Sequence, residues 1–251
     1  MDDSKKTNKE FIKEDEALRL RPEELRPDEA GHKQMGDVLK ESKEHAKIFA
    51  SYQQAISELR EFYIREAGFE QILQKTADLF VNNFGYYMAW YGELKSDEKV
   101  IIPRVWAGKY EKYLDGLRLE LDDSKDAKCA MSLAIIGNEP FGYADLEHDK
   151  DFEKWRPLAI KYGYRSNQAI PLIINGKSVG AFLIYSVRPR AFSNHLIEYL
   201  GGIVKELATI VENTTERRRA SEAYRALVDN SLQGLAIFQD GRVFQMNLYL
   251  L

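Results

Sequence analysis

The sequence comprises 251 residues, of which 44% are hydrophobic and 30% charged, with a formal net charge of −4. This length and apolar content suffice for one medium-sized core with long appendages, whereas the acidic balance argues against a general nucleic-acid-binding protein. A single cysteine, Cys129, and four dispersed histidines exclude an internal disulfide, a zinc site of several thiolates and a metal site built from local motifs.

The first 44 residues form the most polar part of the chain. They mix charges of both signs with Pro22, Pro27, Gly31 and Gly36. Such a composition can bury little apolar surface, so it predicts a disordered segment over 1–44 with a short fraying helix near 14–20. The sequence shows neither a secretory pattern nor an apolar run of about 18 residues. We therefore expect a cytoplasmic protein without a membrane span.

Two helices with apolar residues at alternating spacings of four and three are predicted to flank a central module. The helix predicted over 45–66 carries Ile48, Tyr52, Ala55, Leu59 and Phe62. The last helix begins at a polar cap, Ser193 or Asn194, and carries Leu200, Val204, Leu207 and Val211. This spacing is typical of a seam between nearly parallel helices, and it predicts a homodimer that pairs them in a bundle. The alternative is that both stripes pack only within their own chain.

The central module alternates helical and strand patterns. An amphipathic helix begins near Phe69 and ends at the stop signal over 82–85, and strands over 86–94 and 99–108 then form a hairpin. A short helix follows Lys128. The segment 162–187 forms a second hairpin around Asn175-Gly176, a pair that tolerates the positive φ angles of a primed turn. Both of its arms are nearly continuously apolar. Pro171 belongs at an edge or bulge, and Gly180 suits a close backbone approach.

Five stretches resemble, in this order, a GAF domain over 67–212. They are "GYYMAWYGEL", "PRVWAGKYEKYLDGL", "AIIGNEPFGYADLEHDKDFEKW", "GYRSNQAIPLIINGKSVGAFLIYS" and "AFSNHLIEYLGGIVKELATIV". The resemblance implies an α+β fold, a GAF-like antiparallel β-sheet with helices on one side and a ligand pocket on the other, flanked by long coiled-coil-like signalling helices. The segment 221–247 is similar to the first helix and first hairpin of a PAS domain, so 213–251 is interpreted as a linker helix and an incomplete PAS-like segment. Because a PAS fold takes on the order of a hundred residues, we expect a fragment of a longer sensor or a truncated product.

The resemblance implies a sensory or regulatory module of a two-component-type signal-transduction protein, associated with a histidine kinase. Its flanking helices would pass a ligand signal to a downstream kinase or output domain. GAF ligands range over cyclic nucleotides, haem, bilins and small metabolites. The sequence lacks the Asn-Lys-x-x-x-Phe-x-x-x-Asp-Glu string of cyclic-nucleotide binders, the Cys-His pair of bilin binders and the cysteines of methionine sulfoxide reductases. Without a phosphoacceptor-histidine helix or a glycine-rich ATP-binding segment, no enzymatic activity is predicted.

The predicted ligand-binding residues are mainly the aromatic side chains of the sheet face opposite the helices. They are Tyr87, Trp90, Trp106, Cys129, Tyr143, Trp155, Arg165 and Ser166. Arg165 and Ser166 would supply a polar anchor, although Arg165 could instead form an ion pair with Asp145 or Asp149.

Cys129 is interpreted as a wall of the pocket, and the alternative is a thiol of a haem-based redox sensor. His148 and His195 are the candidate haem ligands in that case, although a position in a surface loop and a position next to a helix cap are their ordinary explanations. Two further alternatives remain: a purely structural dimerisation module with a filled core, and an enzyme on the same fold.

Overall fold

The computed structural model describes residues 29–64, 68–109, 111–121, 129–229, 235–239 and 242–247. The helices are α1 (Glu29–Ile64), α2 (Phe69–Asn82), α3 (Ala130–Gly137), α4 (Arg156–Lys161) and α5 (Asn194–Asp229). The strands are β1 (Met88–Lys95), β2 (Val100–Gly108), β3 (Leu119–Glu120), β4 (Phe141–Tyr143), β5 (Ser166–Ile174), β6 (Lys177–Ser186), β7 (Leu235–Gln239) and β8 (Arg242–Asn247). Single 3-10 turns lie at Glu111–Leu114 and Lys150–Phe152. Among these ranges, no helix combines the length and apolar character that a bilayer crossing requires.

Strands β1 to β6 form one antiparallel sheet in the order β3-β2-β1-β6-β5-β4. The three long helices pack on one face of this sheet, while α3, α4 and the adjoining loops cover the other. The predicted α+β class, an antiparallel sheet with the long flanking helices packed on one side, is confirmed. Strands β7 and β8 pair as a separate two-stranded hairpin, at the position where the sequence predicts one.

The helix-side core joins α1, α2 and α5 to the sheet. Leu59 of α1, Phe80 of α2, Phe182 of β6 and Leu207 of α5 are each completely buried in it. The Phe80 and Phe182 rings meet edge to face with centroids 5.5 Å apart. Burial of such side chains contributes about 1.5 to 3 kcal/mol each, so this core accounts for much of the stability of the module.

The opposite-side core is built from the alternate residues of the same strands, because successive side chains of a strand point to opposite faces. On β1, Trp90 belongs to this core and Tyr91 to the helix-side core. Tyr164 stacks on Tyr185 with ring centroids 4.3 Å apart, and its hydroxyl donates to Met88 Sδ over 2.9 Å. The sheet therefore separates two independent apolar cores.

The hairpin of β5 and β6 has the predicted two-residue turn. Asn175 and Gly176 have φ angles of 50° and 75°, and Ile174 pairs with Lys177 across the turn. Gly180 lies where β6 pairs with β1, and a Cβ there would overlap the Gly92 carbonyl oxygen. Only glycine fits this position, which confirms the predicted close approach.

The outer side of β5 is only partly covered. Strand β4 pairs with β5 over Asn167 to Ala169 and no further, so within the described structure the remainder of β5 has a free edge. Pro171, which has no N–H group, lies in this part, and the register shifts between Leu172 and Ile173. The predicted position of the proline at an edge near a bulge is confirmed.

The second half of α1 runs parallel to α5. The ring centroids of Tyr52 and Tyr199 are 5.1 Å apart, and further along both helices Arg60 Nε donates to Glu206 Oε1 over 2.7 Å. Ala55 and Leu59 are fully buried. Part of the predicted seam is therefore occupied within one chain, as the alternative interpretation requires.

The predicted disorder over 1–44 is wrong for residues 29–44, which form the first part of α1. The two glycines of this segment, Gly31 and Gly36, each cost about 1 kcal/mol relative to alanine. Lysine, glutamate, glutamine, methionine and leucine dominate the remainder and favour a helix, and Pro27 precedes its first turn. Residues 1–28, with the helix predicted near 14–20, lie outside the described residues.

Candidate functional site

A small cavity lies inside the opposite-side core, on the sheet face where the resemblance places a pocket. Its volume is about 10 Å³, room for about one water molecule. The lining comprises Trp90, Leu117, Leu119, Cys129, Ala130, Phe152, Trp155, Asn167, Leu183 and Tyr185. None of these side chains carries a charge at neutral pH. The predicted ligand-sized pocket is therefore nearly closed, because aromatic side chains occupy the space.

Each wall of the cavity comes from a different element. The sheet contributes Trp90 from β1, Asn167 from β5, and Leu183 and Tyr185 from β6. These residues share a face because Trp90 pairs with Leu183 and Asn167 with Tyr185 in the antiparallel register. The opposite wall comes from the N-terminal end of α3 and from the segment that precedes α4. The cavity thus lies between the sheet and its short covering helices.

Within the part of the chain that the structure describes, three buried nitrogen atoms of lining residues have no hydrogen-bond partner. They are Nε1 of Trp90, Nε1 of Trp155 and Nδ2 of Asn167. The orientation of the Asn167 amide is fixed, because its Oδ1 accepts a hydrogen bond from the Tyr143 backbone N–H over 3.0 Å. An unsatisfied buried donor lowers the free energy of unfolding by about 1 to 3 kcal/mol. Three such donors beside one cavity therefore lower it by several kcal/mol.

Cys129 is the N-cap residue of α3, and it is buried. Its Sγ accepts a hydrogen bond from the Ser132 backbone N–H over 3.3 Å and lies 3.0 Å from Ser132 Oγ. Burial raises the pKa of the Cys129 thiol, and the hydrogen bonds with Ser132 offset this only in part. A protonated thiol is a weak nucleophile, so Cys129 contributes a wall and a helix cap.

Three of the eight predicted site residues, Trp90, Cys129 and Trp155, line the cavity. Tyr143 is buried next to it, with its ring centroid 5.2 Å from that of Phe152. The remaining four predicted residues lie outside the lining.

Tyr87 and Trp106 lie nearer the margin of the same sheet face. Tyr87 meets Tyr164 edge to face at 6.2 Å. Trp106 pairs with Trp90 across the strands, yet it is 41% exposed. It borders a separate open groove with Pro103 and Leu114. Its high exposure shows that strand alternation alone does not identify which aromatic residues enclose a space.

Arg165 and Ser166 are engaged by neighbouring loops and do not line the cavity. The Arg165 guanidinium forms an ion pair with Glu147, and the Ser166 hydroxyl donates to the Arg188 carbonyl oxygen over 2.7 Å. Arg165 is therefore paired, as the alternative interpretation holds, but with a different carboxylate from either predicted one.

The two carboxylates that the sequence suggested for Arg165 serve the local loop instead. Asp145 Oδ2 lies 3.0 Å from His148 Nδ1, and this hydrogen bond lowers the pKa of Asp145. Asp149 Oδ1 accepts from the Asp151 backbone N–H over 3.0 Å.

Asn167 and Tyr185 are the lining residues of polar character that sequence reasoning missed. A signal for Asn167 exists, since an amide inside a nearly continuous apolar strand needs a partner when buried. Tyr185 carries no such signal, because a tyrosine at the end of an apolar strand is equally suited to either face.

A larger groove of about 450 Å³ lies along the free edge of β5, between Asn138 and α5. It is open to solvent, and Lys205 and Glu212 are its charged residues among those described; Glu212 already accepts a hydrogen bond from the Asn175 backbone N–H over 2.7 Å. Among the described residues, three of the four buried nitrogen donors without a partner belong to the lining of the small cavity, and none belongs to the lining of this groove, so the small cavity is the better candidate site.

The lining does not fit a haem group. It contains neither His148 nor His195, and the Cys129 thiol is held by Ser132. Within the described ranges, no cluster of three or more histidine, cysteine, aspartate or glutamate side chains could hold a metal ion.

Residues 66–212, more than half of the chain, match the profile of the GAF domain family. No curated protein matches the sequence at a significant level.

Solved structures that are similar share the fold at low identity. The GAF domain of a phosphoenolpyruvate-protein phosphotransferase from Coxiella burnetii is 17% identical, with a TM-score of 0.56 over 69% of this chain and 98% of that chain. The corresponding Acinetobacter domain is 11% identical, with a TM-score of 0.53 over 67% and 97%. A free methionine-R-sulfoxide reductase from Neisseria meningitidis, solved with its substrate, is 16% identical, with a TM-score of 0.55 over 66% and 91%.

Proposed function

This chain belongs to the GAF domain family through residues 66–212, and from that premise we propose that it is a sensory module that binds a small ligand in the cavity of the opposite-side core. GAF domains are a regulatory fold that binds small ligands. The observation that carries the proposal is the set of three unpartnered donors at one cavity. In a purely structural core these unpartnered donors would lower stability without any compensating benefit.

The proposed output runs through α1 and α5. Both helices have long exposed parts: all residues of α5 from Asn213 to Ala226 whose burial is described are exposed, as are those of α1 from Lys33 to Lys47. A ligand would need to favour one helix arrangement by only about 1 to 3 kcal/mol, the usual scale of coupling between two sites. We propose a two-component-type protein in which α5 leads towards a PAS-like segment and a downstream kinase or other output domain.

The exposed part of α1 supports the proposed homodimer. Met35, Val38 and Leu39 are 70%, 57% and 53% exposed, and their spacing places them on one face of the helix. Such a stripe buries best against a second helix. A second copy of the chain supplies an identical one, so we propose that α1 pairs there.

The proposed role is binding without catalysis. Cys129 is the only cysteine of the chain, and burial keeps its thiol protonated by raising the pKa. The likeness to the reductase therefore extends to the fold and does not supply a redox pair.

A purely structural dimerisation module is the second candidate. The observation in its favour is the small volume of the cavity, about 10 Å³, against the roughly 300 to 1,000 Å³ of typical ligand pockets. Ligand binding in this chain would therefore require the covering residues to move apart. The two candidates differ in whether any small molecule stabilises the chain.

Thermal unfolding of the full chain with a panel of small metabolites tests the proposal. A ligand at a concentration of 100 times its Kd increases the free energy of unfolding by about 2.7 kcal/mol. This raises the Tm of a chain of this size by roughly 5 to 11 °C. Ala130→Val narrows the cavity and should reduce this shift. Ala134→Val is the matched control, because Ala134 is also buried in α3 but does not line the cavity.

Failure of every compound to raise the Tm would favour the structural module. An equal loss of ligand response in both alanine variants would show that a ligand binds elsewhere or that the variants act only through global stability.

A further inference from the structure

We propose that the ligand of this cavity is a small organic carboxylate, bound through its oxygen atoms by Trp90, Trp155 and Asn167. This inference rests on the ligand-binding function proposed above and adds the chemical class of the ligand. It depends on the kind of polar groups that line the cavity, on their number and on the surrounding charge.

All three unpartnered groups are hydrogen-bond donors. An indole nitrogen can only donate a hydrogen bond. The N–H groups of Trp90 and Trp155 therefore need a hydrogen-bond acceptor as partner. The Asn167 amide presents its NH₂ group as well, because its oxygen is already occupied by the Tyr143 backbone N–H. A ligand that offered mainly N–H or O–H groups would leave these donors unsatisfied.

A single water molecule does not satisfy this set. The volume of about 10 Å³ has room for one, but its oxygen accepts at most two hydrogen bonds, and its own two hydrogens would need acceptors. A carboxylate has two oxygens with about four acceptor positions and no hydrogen. It can therefore accept from all three donors without adding a donor.

The local charge favours an anion over a cation. Cys129 and Ala130 place the N-terminal end of the eight-residue helix α3 in the lining, and that end of a helix carries a partial positive charge. Among the described residues, the lining holds no aspartate or glutamate that could pair with an ammonium group. Hydrogen bonds from N–H groups to an ionised oxygen are also shorter and stronger than neutral ones, which offsets part of the desolvation of the carboxylate.

Access to the cavity is through its least buried wall. Eight of the ten lining residues are buried, and the two that are half-buried are Leu117 and Trp155. They belong to the segments before β3 and before α4, outside the central strands. A displacement of the Leu117 side chain, which carries no donor, widens the cavity without disturbing the sheet or the Trp155 indole N–H, and the organic part of the ligand would occupy the space that Leu117 leaves.

The three tryptophans of the chain provide the test. In a ¹⁵N–¹H correlation spectrum of the labelled full chain, each indole N–H gives one resonance, and Trp106→Phe and Trp155→Phe assign them. Acetate and benzoate, titrated at constant ionic strength, should shift the indole protons of Trp90 and Trp155 downfield. The resonance of Trp106, which lies outside the lining, is the internal control. Acetamide should act more weakly and methylammonium should have no effect.

Asn167→Asp is the matched variant. It keeps the oxygen that accepts from the Tyr143 N–H and replaces the unpartnered NH₂ group by a second oxygen. The loss of one charge-assisted hydrogen bond, together with repulsion between the introduced carboxylate and that of the ligand, predicts that acetate and benzoate bind at least roughly tenfold to hundredfold more weakly. Circular dichroism verifies that the variant folds, and the comparison of acetate with methylammonium on the unaltered chain does not depend on it.

Three results overturn the inference, with different consequences for the proposed function. Equal shifts with methylammonium and acetate, or equal shifts of Trp106, would show that the site does not select carboxylates. If no carboxylate shifts the indole resonances, while another compound raises the Tm and shifts the Trp90 resonance, the ligand class is refuted and the proposed ligand binding still stands. If no compound changes the Tm or the indole resonances, the proposed function is refuted together with the inference.

Discussion

Two adjacent glycines in α5 allow the contact between α1 and α5 to be measured. A Cβ on Gly201 would meet nothing within 4 Å, whereas a Cβ on Gly202 would lie 2.9 Å from Tyr52 Oη and 3.0 Å from Tyr52 Cε2. Both residues lie inside the same helix, so Gly201→Ala and Gly202→Ala have the same intrinsic effect on helix formation. They differ only in whether the added methyl group meets α1.

The expected magnitudes follow from these distances. Replacing glycine by alanine inside a helix raises the free energy of unfolding by about 1 kcal/mol. Gly201→Ala should show this full increase. At Gly202 the Tyr52 ring must move, although it is packed at 5.1 Å from the Tyr199 ring, and overpacking of this kind costs about 1 to 3 kcal/mol. Gly202→Ala should therefore be less stable than Gly201→Ala by about 1 to 3 kcal/mol, or roughly 2 to 12 °C in Tm.

Urea unfolding followed by circular dichroism measures both variants, alone and in a Tyr52→Ala background. Without the tyrosine ring the two alanine variants should become equally stable, because the coupling between residues 52 and 202 is lost. Equal stabilisation by both alanines in the unaltered chain would refute the parallel packing of α1 on α5, and with it the proposed route from the sheet to the flanking helices.

Three further outcomes are expected. Leu59→Ala should lower the free energy of unfolding by about 2 to 5 kcal/mol, because Leu59 is completely buried between α1, α5 and the sheet; a loss below about 1 kcal/mol in urea unfolding would contradict that burial. Burial raises the pKa of Cys129 in the folded chain, so the stability it contributes is complete below the ordinary thiol pKa of about 8.5 and falls as the pH rises above it; unfolding curves from pH 7 to 10 should show this fall, and Cys129→Ser should remove it. Val38→Glu with Leu39→Glu should convert the proposed dimer to a monomer in light scattering without loss of helix content, since both side chains are exposed; an unchanged mass would exclude this face as the interface.

Local patterns predicted the framework of the fold well. The turn at Asn175-Gly176, the Ser193 cap before α5 and the edge position of Pro171 each depend on the backbone chemistry of one or two residues, and all three are found. The helix over 29–44 was not predicted, because scattered glycines and mixed charges weaken a periodic pattern even where helix formers dominate.

The candidate site was predicted less completely, for a physical reason. Its walls come from six separate stretches of chain, and the volume between them depends on how their side chains pack. Strand alternation places Trp90 and Trp106 on the same face, but only the tertiary structure shows that one is buried and the other exposed. Likewise, the sequence offers Arg165 several acidic neighbours, and loop geometry selects Glu147.

The free edge of β5 bears on how the protein behaves at high concentration. An unpaired apolar strand is a template on which strands of other molecules can add, and this is a starting point for fibrils. Pro171 removes one backbone donor from that strand, and the irregular register beside it bends the remainder. Pro171 thus hinders the addition of another strand at the edge of an apolar arm of the hairpin. Replacing it by valine would make β5 more regular and would make aggregation through this edge easier.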